Sequence, residues 1–205
     1  MAKEKSIFLC NECGYESPKW AGKCPSCGAW NSFIEKVVRN TPLSRISNGD
    51  RTLTQPILID DVATDELPRI DMSDSELNRV LGGGLVPGSL VLLGGEPGIG
   101  KSTLVLQTIL GLPHRRVLYV SGEESVQQIK LRADRISHER GSCHIVCETS
   151  LETIFTHIKN INPELLVIDS IQTMSSESVD SSPGSISQVR ECTAMLLKFA
   201  KETFL

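Results

Sequence analysis

One segment limits the fold of this chain more than any other: Gly95-Glu-Pro-Gly-Ile-Gly100-Lys101-Ser102. The pattern G-x-x-x-x-G-K-[ST] is a phosphate-binding loop, and it needs a β-strand before it and an α-helix directly after. Both neighbours are legible. Ser89–Leu93 is an apolar run that predicts a strand, and Ser102–Leu110 predicts a helix stopped by Gly111 and Pro113. Glycines let successive backbone N–H groups turn inward, and the helix start adds its partial positive charge. The expected ligand is a nucleoside triphosphate, ATP above all, held along Gly95, Glu96, Pro97, Gly98, Ile99, Gly100, Lys101, Ser102 and Thr103. Lys101 would reach the β- and γ-phosphates as a catalytic cation, and the Ser102 hydroxyl would hold Mg²⁺.

The surrounding pattern extends this unit into an α/β core over residues 73–205. Ser73-Asp-Ser-Glu76 has capping-box form and opens a short helix to Leu81. Strands are expected at Val117–Ser121, Ile145–Cys147 and Leu165–Ile168. Helices are expected around Val126, Ile129, Ala133 and Ile136, around Ile154, Phe155 and Ile158 after Thr149-Ser-Leu-Glu152, and around Val189, Cys192, Leu196 and Phe199. With Ser89–Leu93, strands separated by helices predict a parallel sheet with right-handed crossovers.

Leu165–Asp169 is an apolar strand that delivers one carboxylate to its C-terminal end, the edge where such sheets bind ligands. Asp169 is the candidate second Mg²⁺ residue, acting through water. Glu123 and Glu124 follow the strand Val117–Ser121 at the same edge. Either could polarise an attacking water, or both could serve as an acidic start to the next helix. Glu123 is preferred as the catalytic base for its distance from the strand end. No N-K-x-D guanine-reading motif is present, which argues against a GTPase.

A different chemistry occupies residues 1–35. Cys10-x-x-Cys13 and Cys24-x-x-Cys27 are two thiolate pairs separated by ten residues, with Gly14 and Gly28 next to the second cysteine of each. Four thiolates close a tetrahedral Zn²⁺ site with no open position, so the expected role is structural. Redox dithiols or an iron–sulfur cluster are the competing readings. So short a segment needs metal to supply its folding energy. Lys19, Trp20, Lys23 and Trp30 lie around the site, either to grip nucleic acid or to cover the metal. Cys143, Cys147 and Cys192 are read as core residues. Residues 36–72, with Pro42, Asn48-Gly49, Pro56 and Pro68, read as a linker.

Bulk properties fit a globular chain of 205 residues, one core-bearing domain with a small appendage. The net charge of -4 excludes a polycation, so any nucleic-acid contact must come from local patches or an oligomeric channel. The start of the chain lacks a signal-peptide pattern, and no apolar run is long enough for a membrane span. With thiolate pairs in place of disulfides, the expectation is a cytoplasmic protein without membrane contact.

These features occur together in one family. The four-cysteine module, Leu81-Gly-Gly-Gly-Leu-Val-Pro-Gly-Ser89, Gly95–Ser102, Ser121-Gly-Glu-Glu-Ser125, Val167-Ile-Asp-Ser-Ile-Gln-Thr173 and Ser187-Gln-Val-Arg-Glu191 resemble the bacterial RadA (Sms) DNA repair family, over residues 6–40 and 73–205. The resemblance implies a zinc finger, a RecA-like ATPase core and a Lon-like C-terminal domain. It also implies hexameric rings that bind single-stranded or branched DNA, drive branch migration with ATP and work with a RecA-type recombinase. By resemblance Glu123 matches the catalytic glutamate of RecA-type cores, and Lys101, Ser102 and Asp169 match the nucleotide and metal residues. Thr173–Ser187 lies where such cores carry a mobile DNA-facing loop, unless it is a plain flexible connection. The family's Lys-Asn-Arg-Phe-Gly motif and Lon-like domain are absent, so the chain is expected to be a truncated form. Two other readings stay open: a zinc-dependent nucleic-acid adaptor that binds ATP without effective turnover, and a regulatory ATPase of the clock-protein type, which lacks a four-cysteine head.

Overall fold

The computed structural model describes residues 5–38, 58–61, 68–137, 141–179 and 181–205. Most of the linker expected over 36–72 lies outside the described residues. The chain divides into two units, Met1–Glu66 and Leu67–Leu205, each described by itself below.

In the first unit, β1 (Lys5–Cys10) is the middle strand of a small antiparallel sheet between β2 (Glu16–Ser17) and β3 (Phe33–Val38). Its register sets Cys10 opposite Phe33 and Phe8 opposite Ser17. Cys10, Cys24 and Phe33 are buried at its centre, with Phe8, Cys13 and Ala21 packed against them. This is a very small apolar core, too little to hold a fold of this length without a further cross-link.

The second unit is the α/β core. Its parallel sheet has β4 (Val117–Ser121) at the centre, β5 (Cys143–Cys147) on one side and β6 (Leu165–Asp169) on the other. Ser121 is in register with both Cys147 and Asp169, so all three strands end at one edge. β4 is buried along its whole length, and its pleat sends alternate residues to opposite faces. Val117 and Tyr119 meet Leu106, Ile109 and Leu110 of α2 (Lys101–Leu110) and Ile129 and Ala133 of α3 (Val126–Ile136). Leu118 and Val120 meet Leu151, Ile154 and Ile158 of α4 (Leu151–Ile161), and Cys192 and Leu196 of α5 (Ile186–Thr203). The chain moves from β4 to β5 and then back across β4 to β6. That reversal puts α3 and α4 on opposite faces, and sheets with such a switch take their ligands at the strands' carboxyl ends.

Local chemistry sets the helix starts. α3 begins in a full capping box between Ser125 and Gln128. The caps of α1 (Ser75–Val80) and α4 fall one residue later than Ser73 and Thr149. Asp74 Oδ1 accepts from Leu77 N at 2.8 Å, and the Ser150 hydroxyl accepts from Thr153 N.

The strand expected at Ser89–Leu93 does not form. Among the described residues Leu90, Val91, Leu92 and Leu93 pair with no strand and are 39%, 53%, 78% and 42% exposed. A strand exists through its neighbours, and β6 pairs only with β4, leaving its other edge without a partner among the described residues. Cys147 is also corrected: it is exposed, and its Sγ donates to Glu124 O at 3.0 Å, whereas Cys192 is buried and Cys143 packs against the core.

Candidate nucleotide site and metal centre

Four residues converge at the carboxyl edge of the sheet. Tyr119 is fully buried, and its hydroxyl donates to Asp169 Oδ2 on the neighbouring strand. Burial, reinforced by that carboxylate, pushes the phenol far above its ordinary range, so it stays protonated and keeps donating. Ser170 follows Asp169 and donates from Oγ to Glu123 Oε1 at 2.6 Å. Gly122 N donates to Asp169 O at 3.1 Å, so the two strand ends are stitched together by backbone as well. Only glycine fits at 122: a Cβ would lie 2.7 Å from Thr173 Cβ and 3.0 Å from Met174 Cε. The Ser121 hydroxyl accepts from the amides of Glu123 and Glu124 and fixes the turn beyond β4.

The two glutamates diverge from this turn. Glu124 is ion-paired with Arg132 of α3, both side chains being largely covered. Glu123 remains at the strand ends beside Ser170 and Asp169. Tyr119, Ser170 and Arg132 are not legible as site residues from the sequence. The one available signal is Tyr119 itself, a polar hydroxyl inside an apolar strand that must find a partner when buried.

The phosphate loop lies at the head of α2. Leu112, just past α2, shares an apolar cluster with Leu165 at the start of β6, so the helix ends near the strands' start and its first turn points toward their carboxyl ends. Gly100 is the N-cap, and no side chain caps the helix. The first-turn amides are therefore open to an anion, which fits the phosphate of a nucleotide. Nothing lies within 4 Å of where a Cβ would stand on Gly98 or Gly100, so the backbone face is clear for a close approach. Lys101 Nζ donates to Gly95 O at 2.9 Å and Glu96 O at 2.8 Å, folding back over the loop. Glu123 and Asp169 are brought together through Ser170. Lys101 and Ser102 have no hydrogen bond to either carboxylate among the described residues.

In the first unit the sulfurs of Cys10, Cys13, Cys24 and Cys27 all lie within 4.8 Å of one another. Two edges of the cluster are 3.7 Å (Cys10–Cys27) and 3.5 Å (Cys13–Cys24). A tetrahedron of thiolates about 2.3 Å from Zn²⁺ has edges of about 3.8 Å, so this donor set fits that ion. Each knuckle is closed by a tight turn, Gly14 N to Cys10 O and Gly28 N to Cys24 O, with φ of 73° and 77° at the glycines. Burial raises the Cys10 thiol, but contacts with Ser32 and the backbone of Cys13 and Glu12 outweigh it and bring it down to about 6. At Cys27 the Ala29 amide favours the thiolate, yet desolvation and the neighbouring sulfurs win and push it up to about 12. Four crowded thiols cannot all ionise unaided, and a divalent cation removes that constraint.

Residues 8–35 match a family described as rubredoxin metal binding domain, and residues 58–204 match the AAA domain family. The chain is 53% identical over 206 residues to the DNA repair protein RadA of Bacillus subtilis, covering 98% of this chain and 45% of that protein. It is 50% identical to DNA repair protein RadA of Halalkalibacterium halodurans and 48% identical to that of Pseudomonas aeruginosa. Each match covers 99% of this chain and 45% of the relative, so the chain spans somewhat less than half the length of these proteins.

Proposed function

Since the chain belongs to the AAA domain family over residues 58–204, we propose that it is the metal- and nucleotide-binding portion of an ATP-dependent DNA repair protein. The observation that carries this reading is the uncapped head of α2, with Lys101 folded over its loop; we take it to face the strand ends, where Ser170 joins Glu123 to Asp169. Backbone N–H groups of Gly95–Thr103, Pro97 excepted, bind the phosphates, and Lys101 turns from the Gly95 and Glu96 carbonyls to the β- and γ-phosphates. Ser102 and Asp169 would hold Mg²⁺, which supplies charge neutralisation between the phosphates. Tyr119 keeps one Asp169 oxygen occupied and the carboxylate in place.

Glu123 is the base that accepts a proton from the attacking water, and Ser170 orients it. The Arg132 ion pair withdraws Glu124 from that task, which supports Glu123 over its neighbour. The four thiolates would hold Zn²⁺ as a structural ion. For the whole protein we infer, from the resemblance alone, a cytoplasmic hexameric ring acting on single-stranded or branched DNA alongside a RecA-type recombinase, with branch migration as its work. Among the described residues no helix is long and apolar enough to cross a membrane.

One observation favours a second reading for this length of chain. The segment behind the phosphate loop, Leu90–Leu93, is exposed and unpaired among the described residues. The sheet therefore does not fix the loop against Asp169, which suits ATP binding without effective turnover. Steady-state ATP hydrolysis with and without single-stranded DNA, on this chain and on one of the relatives' length, separates the two. DNA-stimulated turnover only in the longer protein supports both statements together. Absence of ATP binding in both sinks the nucleotide reading.

A further inference from the structure

The four-cysteine unit keeps its tryptophans out of its core. Cys10, Cys24 and Phe33, backed by Phe8 and Ala21, surround the sulfurs, whereas Trp20 is 56% and Trp30 is 72% exposed. Covering the metal is therefore not their task. Trp30 lies on a hairpin, and Trp20 stands at its foot. Asn31 N donates to Gly22 O at 2.8 Å, and Lys23 bridges to Trp30 across the same turn. The Trp20 ring lies along Gly22, 3.7 Å from where a side chain would begin. Lys23 Nζ stands 5.5 Å from the centroid of the Trp30 ring, and Lys19 is exposed immediately before Trp20.

Apart from the thiolates, whose zinc complex stays anionic, the charged side chains between residues 17 and 34 are of one sign. Although the whole chain carries -4, residues 17–34 contain two lysines and no carboxylate. Flat indole faces beside ammonium groups fit a ligand that alternates planar rings with phosphates, because bases stack on aromatics while lysines meet the backbone. A duplex hides its base faces in its own stack, so the ligand must be unpaired.

We propose that Trp20 and Trp30, flanked by Lys19 and Lys23, form a base-stacking surface for single-stranded nucleic acid. Naming that nucleic acid as DNA rests on the DNA-repair reading; the stacking chemistry does not.

The chain offers its own probe, since its two tryptophans are these two residues. Zinc-loaded full chain is titrated with an oligothymidylate at low salt, with indole emission and the anisotropy of a labelled oligonucleotide recorded together. Saturable quenching is expected, weaker with the same sequence as a duplex and absent with inorganic polyphosphate of matching charge. Trp30→Ala should weaken binding about tenfold, and Trp30→Phe, which keeps a stacking face, should retain most of it. Zinc content stays stoichiometric in both variants, which excludes unfolding as the cause. Equal quenching by polyphosphate would mean charge alone and overturns the proposal. If the labelled oligonucleotide binds while indole emission is unchanged, or binds a Trp20→Ala, Trp30→Ala variant normally, DNA sits elsewhere. The surface is then wrong and the repair reading stands. Stronger quenching by oligouridylate than by oligothymidylate would keep the surface and assign it to RNA.

Discussion

Glu123 and Glu124 are adjacent in sequence and answer to different partners. Glu123 accepts from Ser170 at the strand ends, while Glu124 is held by Arg132. Glu123→Gln keeps size and an acceptor oxygen but removes basicity. In a protein of the relatives' length it should lower ATP turnover by roughly 10²-fold with ATP still bound, as loss of a general base does. Glu124→Gln should instead lower the melting temperature by freeing Arg132, with turnover changed far less; the opposite pairing of effects would reassign the base. Lys101→Ala removes a cation folded over the loop, so ATP affinity measured by calorimetry should fall tenfold or more, about 1.4 kcal/mol. An unchanged dissociation constant refutes its role. The motif residues were legible because their spacing is their meaning. Tyr119 was not, since a tyrosine in an apolar strand reads as core. Its hydroxyl acquires a job only when β6, far along the chain, arrives beside β4.

Among the elements, the segment after β6 departs most from expectation. The resemblance pointed to a mobile loop over Thr173–Ser187, yet its described residues are closely tied. Met174 is fully buried, Leu151 N donates to Ser175 O at 2.9 Å, and Ser176 Oγ donates to Glu152 Oε1 at 2.7 Å. Buried Gln188 of α5 donates from Nε2 to the carbonyls of Ser176, Val179 and Ser181. Nothing in the serine-rich composition announces this, because a glutamine on a helix binds loop carbonyls only after tertiary packing brings them within reach. Gln188→Ala should speed amide exchange in residues 175–179 while α5 stays protected; unchanged exchange would show that Met174 alone holds the loop.

Glu152 adds a pH dependence with a definite sign. Burial raises its carboxyl, but Ser176, Ser150 and the Glu177 amide outweigh that and hold it below the ordinary glutamate value. A depressed carboxyl stabilises above its unfolded value and loses that contribution as pH falls through the folded one. Melting temperature should therefore drop on acidification below about pH 4.5, and less steeply in Glu152→Gln. The cysteine knuckles were legible as a unit, spacing and glycines included. Cys24→Ser should release the zinc and unfold residues 8–30 while the melting of the α/β unit is unchanged; full zinc content in that variant would overturn the ligand set.

For the molecule as a whole, the parallel sheet was legible from apolar runs and helical periods, but its strand order was not: Leu165–Ile168 is the more uniformly apolar run, yet Val117–Ser121 is the central strand. What failed was Ser89–Leu93, because a run of apolar residues states a preference for burial but not which surface provides it. Leu92 is the most exposed of these residues at 78%. Leu92→Lys should leave the melting of this chain within about 0.5 kcal/mol; a large loss would show that the segment is packed after all. The unpaired segment also couples two equilibria that would otherwise be separate. Fixing each backbone residue costs about 1–2 kcal/mol, and ordering Leu90–Leu93 behind the loop prepares the amides that meet phosphate. Whatever pairs with that segment must then raise nucleotide affinity by the same factor by which nucleotide tightens the pairing. The phosphate loop thereby becomes a gauge of whether the sheet beside β6 has been completed.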